Sequence, residues 1–113
     1  MKKRFAEGVE FFNSAHYYDA HEAWEDVWRE SIGEERLYLQ GLVQVAVALH
    51  HASTRNYLGA KSVLARAARN LSTCPRSLHG IDVVDLRIKL EKSQSQLAAG
   101  RLPSRFAIRL IED

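Results

Sequence analysis

Apolar residues recur at spacings of three and four along almost the whole chain, and no alternating apolar and polar run is long enough to make a strand. Only Pro75 and Pro103 interrupt the pattern. A period near 3.6 residues is satisfied by helices that each bury one stripe. The sequence therefore specifies an all-α fold, a compact bundle of about five to six helices built on antiparallel hairpins. At 113 residues the expectation is a single helical domain over residues 1–113. With 46% hydrophobic and 27% charged residues the balance is that of a globular core, not of a disordered chain.

The first helix is expected over Lys3 to Phe12, with Phe5, Val9 and Phe12 on one side, and Asn13 and Ser14 offer a turn or an N-cap. The second runs from His16 to Glu30 and is broken by Gly33. Glu34 and Glu35 suit the positive start of a third helix reaching Thr54, which forms a hairpin with the second. Asn56 caps a fourth, Tyr57 to Leu71, in which Leu58, Val63, Leu64, Ala67, Ala68 and Leu71 cover much of the circumference and predict thorough burial. Cys74-Pro75 ends it, and Asp82 opens a fifth through Val83, Leu86, Leu90 and Leu97 that Gly100 and Pro103 stop. A short last helix is expected from Ser104 to Glu112. Asn13 with Ala20 and Trp24, and Asn56 with Gly59 and Ala60, echo each other at an offset of 43 residues. Two copies are too few for a repeat array and read as helical-hairpin packing.

A single cysteine, Cys74, excludes an intrachain disulfide and a Cys-rich zinc site, and reads as buried packing. It fits a cytoplasmic protein. No apolar stretch follows the Met-Lys-Lys-Arg start, and the apolar run Leu37 to Leu49 contains Gln40 and Gln44 and is too short for a bilayer, so no membrane partner is expected. Residues 1–54 hold 5 Lys plus Arg against 9 Asp plus Glu, and residues 55–113 hold 11 against 5, giving −4 and +6 and the overall +2. The cations of the second half are scattered without an aromatic stacking motif, which argues against nucleic acid. The two halves are expected to attract each other across the fold or between subunits of a homo-oligomer, an effect that salt screens.

Residues 16–28, His-Tyr-Tyr-Asp-Ala-His-Glu-Ala-Trp-Glu-Asp-Val-Trp, are the densest cluster of titratable and aromatic side chains. Advancing about 100° per residue places Tyr17, Ala20, Trp24, Val27 and Trp28 on the core face, His21 and Glu25 at its edge, and Glu22 and Asp26 outward. His21 and Glu25, four apart, can pair with each other or share a metal. If the hairpin turns near residues 32 and 33, Glu25 faces Gln40 or Gly41 and His21 faces Gln44. Gln40, Gln44 and His51 then form a polar ladder along the third helix.

Two readings stay open at this point. In one, the ladder is a satisfied seam that fixes helix register, and the chain is a non-enzymatic binding module or a homo-oligomeric interaction protein. In the other, His21 and Glu25, with His51 or His50, hold zinc or manganese. Glu22 or Glu25 is then the base for hydrolysis of a small polar substrate, while Trp24, Trp28, Gln40 and Gln44 line the site. The His-Glu-x-x-His motif of zinc proteases is absent, because position 25 is Glu.

Phe12-Asn13, Tyr17-Tyr18, His21-Glu22, Glu25 and Trp28, then Leu39-Gln40-Gly41-Leu42-Val43-Gln44 and Asn56, Gly59, Ala60, stand in the order and spacing of the domain of unknown function 309 family. The chain resembles that family over residues 5–71. Ala15 stands where a glycine is usual, and Thr54-Arg55 replace the common Arg-Gly. The resemblance implies a small all-helical fold with His21, Glu22, Glu25, Trp28, Gln40 and Gln44 gathered where helices two and three meet. It also implies the label of metal-dependent hydrolase that the family's His and Glu motif has attracted.

Overall fold

A computed structural model describes residues 2–111. Five helices, α1 (Lys2–Asn13), α2 (Tyr17–Arg29), α3 (Gly33–Ser53), α4 (Tyr57–Leu71) and α5 (Val83–Ala98), follow one another, with a two-stranded ribbon, β1 (Ser77–Leu78) and β2 (Ile81–Asp82), before the last. Neighbours in sequence pack against each other, and α3 sits between α2 and α4. One hydrophobic core threads all of them, with Phe12, Trp24, Leu39, Leu42, Leu64, Leu71, Ile81, Leu86 and Leu90 fully enclosed. No helix among the described residues is long and apolar enough to cross a membrane.

The helix boundaries follow from caps. Asn56 accepts from the Gly59 amide at 3.0 Å, and Asp82 from the Asp85 amide at 3.0 Å, so both expected N-caps form. Gly59 is required beside the first of these, because a Cβ there would lie 2.6 Å from Asn56 Nδ2. At the other ends, α1, α3 and α5 close with a left-handed residue that lets the next amide reach back five residues: His16 to Phe11 (2.8 Å), Asn56 to His51 (2.8 Å) and Arg101 to Gln96 (2.9 Å). The left-handed residues are Ala15 (φ 62°), Arg55 (φ 66°) and Gly100 (φ 75°).

The first two of these turns are the same structure built twice. His16 (φ −89°, ψ 70°) and Asn56 (φ −87°, ψ 73°) match, and Ala20 and Ala60 both return a bond to them at 3.0 Å. The internal echo therefore runs at 40 residues, not 43, because the shared element is the turn and not the position of the asparagines. Ala15 and Arg55 occupy a conformation that costs an L-residue about 1–2 kcal/mol. Ala15→Gly and Arg55→Gly are each expected to stabilise by about 0.5–1 kcal/mol, read as a shift in the denaturant midpoint. A loss of stability at both positions would contradict this.

Two expectations are corrected. The segment after Pro103 is extended, not helical over Ser104 to Glu112, whose last residue lies outside the described ones. Asn13 exchanges two hydrogen bonds with the Ile108 backbone (2.7 and 3.1 Å), Arg109 O accepts from the Asp82 amide (2.8 Å), and Ile111 N donates to Gly80 O (2.7 Å). Leu110 bridges Ile81. Phe106, Ile108 and Leu110 alternate as well as they repeat helically, and in so short a segment these backbone partners decide. Nor is α4 buried all round. Ala60, Leu64, Ala67 and Leu71 are buried, Tyr57 and Val63 are partly buried against the core, and Leu58 is 80% exposed.

Candidate functional site

The stripe read from the sequence exists on α2 but is rolled toward Ala23, which is fully buried, while Tyr17 and Trp28, expected on the core face, are partly buried. Ala20, Trp24 and Val27 are buried, His21 and Glu25 are half-buried, and Glu22 is exposed. His21 Nε2 lies 2.8 Å from Glu25 Oε2. The other carboxylate oxygen of Glu25 accepts from Arg29 at 2.6 Å, Arg29 also bonds Asp26 at 2.9 Å, and Asp26 accepts from Arg4 of α1 at 2.9 Å. The motif is thus one end of an ionic chain that fastens α2 to α1. His21 Nδ1 is buried and has no partner among the described residues, and the same holds for Trp28 Nε1.

Each aromatic of the motif is used in packing. Trp24 is fully enclosed, stacks on Phe12 with ring centroids 5.8 Å apart, and donates from Nε1 to Phe5 O at 3.2 Å, so it does not wall an open site. Trp28 is covered by the Arg36 guanidinium, 3.9 Å above its ring, while Arg36 also donates to the carbonyls of Trp28 and Ser31 at 3.2 Å. A cation held over an indole face in this way ties the start of α3 to the end of α2.

The helix-three half of the expected ladder is not where the hairpin arithmetic put it. Gln40 is exposed. Gln44 turns to α4 and accepts from Asn70 Nδ2 at 2.7 Å, so His21 does not meet it. Gly41 receives α4 as well, since a Cβ there would lie 2.7 Å from Leu71 Cγ. His51 faces Asn56 Nδ2 at 3.4 Å, at the capped start of α4. His50, not His51, approaches the stripe, through Tyr18, whose ring is 5.5 Å from that of His21 and 5.8 Å from that of His50. Among the described residues no group of three or more His, Cys, Asp or Glu side chains is placed to hold a metal.

Features outside the motif went unread. His79 and Gly80 (φ 47° and 86°) form the two-residue turn of the β1–β2 hairpin, and His79 pairs with Glu35 and packs on Phe5 at 4.9 Å. The His-Gly pair between Leu78 and Ile81 was the available signal. A cleft of about 480 Å³, lined by Lys2, Phe5, Ala6, Val9, Glu10, His79 and Leu110, opens beside it, well away from the His21–Glu25 pair. Cys74 is buried, as the sequence suggested, and burial raises its thiol above 9.0 although Arg87 acts in the opposite direction. Burial likewise raises the Tyr17 phenol above 10.0, against Arg105.

Raised values in the folded chain mean that the unfolded chain gives up these protons first. Stability held by Tyr17 and Cys74 is therefore intact below their ordinary values and is lost as pH rises through the folded ones. Thermal unfolding between about pH 8 and pH 11 is expected to show a falling midpoint above about pH 9, and a flat profile would count against both assignments.

A five-helix bundle on α-hairpins, carrying an ion-paired His/Glu stripe, is the class of protein that this geometry defines. The chain matches the family described as Domain of unknown function (DUF309) over residues 5–63, and it belongs to that family. It is 35% identical over 88 residues to the uncharacterized protein YpuF of Bacillus subtilis (strain 168), covering 77% of this chain and 50% of that one. It is 30% identical over 93 residues to an uncharacterized protein of Aquifex aeolicus (strain VF5), covering 81% of this chain and 28% of that one. The chain thus spans half or less of the curated relatives it matches.

Proposed function

We propose that this chain is a non-enzymatic helical interaction module, and that its His/Glu/Trp stripe is the fastening that holds α1, α2 and α3 together. The observation that carries the reading is the commitment of the motif's donors. Glu25 spends one oxygen on His21 and the other on Arg29, and the remaining His21 nitrogen is enclosed by protein. A general base needs an atom within reach of substrate, and a catalytic metal needs about three protein ligands with an open position. The residues present do not fit such a metal. His51 is turned to the start of α4, Glu22 points to solvent, and Gln40 and Gln44 are not joined to His21. The zinc- or manganese-dependent hydrolase reading would need a ligand from another chain.

Elemental analysis by plasma mass spectrometry, on untagged protein purified without chelators and on a His21→Ala, Glu25→Ala variant, tests the proposal. Metal far below stoichiometric in both is expected. Near-stoichiometric metal in the wild type that disappears in the variant would overturn it.

A further inference from the structure

The shared turn makes position i of α2 equivalent to position i+40 of α4, and the solvent face of α2 is mainly acidic where that of α4 is basic, although Arg29 and its equivalent Arg69 carry the same charge. The outer face of α2 and its C-cap presents Asp19, Glu22, Asp26 and Glu30 around a single cation, Arg29, which is bonded to Glu25 and Asp26; Asp19, Glu22 and Glu30 are exposed. The outer face of α4 presents Lys61, Arg66 and Arg69, all exposed, and Arg66 is the equivalent of Asp26. None of the three cations forms an ion pair among the described residues. Between them lie Ser62 and Ala65, small enough for another helix to approach closely, and Leu58 projects at the N-terminal end. The two faces belong to parallel helices on either side of α3, so within one chain they have no route to each other.

From this complementarity we infer that the basic face of α4 docks on the acidic face of α2 of a second copy. The proposal rests on the interaction-module reading and names the partner. Two different surfaces are joined, so the contact is heterologous and leads to a ring or an open chain. Attraction between exposed charges sets its strength, and salt weakens it.

The test is sedimentation of the whole chain at roughly 20 mM and about 500 mM salt. The wild type is expected to exceed the 12.9 kDa monomer mass increasingly with concentration at low salt, and to return to it at high salt. Two variants, each checked for helix content by circular dichroism, separate the faces. The chain with Lys61→Glu, Arg66→Glu and Arg69→Glu, and the chain with Asp19→Lys and Glu22→Lys, are each expected to remain monomeric at low salt, and their mixture to associate. A wild type that stays monomeric at low salt overturns the proposal, whether or not it binds an acidic protein or nucleic acid instead. So does self-association that persists in either variant alone. These positions lie outside the His21–Glu25 pair, so failure here leaves the metal analysis unaffected, and metal found there condemns the module reading by itself.

Discussion

Gly8→Ala is expected to destabilise the protein by about 2–4 kcal/mol, from overpacking of about 1–3 kcal/mol and a lost buried hydrogen bond of about 1 kcal/mol. A Cβ at Gly8 would fall 2.2 Å from Trp24 Nε1 and 2.4 Å from its Cδ1. That ring has no space to retreat into. It is fully buried between Phe12 and Phe5, and its Nε1 is spent on Phe5 O. Because α1 can relieve the overlap only by moving off α2, the Arg4–Asp26 bond is strained in the same event. Thermal unfolding should fall by about 8–20 °C for a domain of this size. A shift below about 4 °C would mean that the helices part at little cost.

Arg87→Lys is expected to be nearly as damaging as Arg87→Ala, each costing about 2–3 kcal/mol. The guanidinium of Arg87 reaches from α5 to the end of α4, donates twice to Leu71 O (3.0 and 2.8 Å), and also donates to the carbonyls of Ser72 and Cys74. Leu71 and Ser72 are the last residue and the C-cap of α4, where a helix leaves carbonyls without intrahelical partners, and Cys74 lies in the turn that follows. A planar fork can serve several at once, whereas an ammonium cannot adopt that geometry. Equilibrium denaturation of the two variants checks this, and a lysine variant as stable as the wild type would show that charge alone suffices.

What the residues disclosed and what they withheld divide along a physical line. The bounds of α4, Tyr57–Leu71, were legible because Asn56 before it and Cys74-Pro75 after it mark them locally. The inward and outward sides of α2 were legible because angle along one helix is a property of that helix. The partner across from each face was not. Gln44 and Gly41 were expected against α2 and in fact meet Asn70 and Leu71 of α4, because helix roll depends on the turn through Glu30 to Ile32 and on which neighbour arrives. The same limit hid the non-helical course of the segment around Leu110, whose backbone partners are Gly80, Ile81 and Asp82, far away in sequence. Of the residues proposed for the site, His21 and Glu25 are in contact, as their spacing on one helix allows, while Gln40, Gln44 and His51 do not join them.

The architectural role of the stripe is tested most directly by equilibrium unfolding of His21→Ala beside the wild type, each with and without added zinc. Loss of the Glu25 contact and of the half-buried ring is expected to cost about 1–3 kcal/mol, with zinc leaving both curves in place. A His21→Ala protein as stable as the metal-free wild type, together with a wild type that zinc stabilises and a variant that it does not, would contradict that role and make the stripe a metal site.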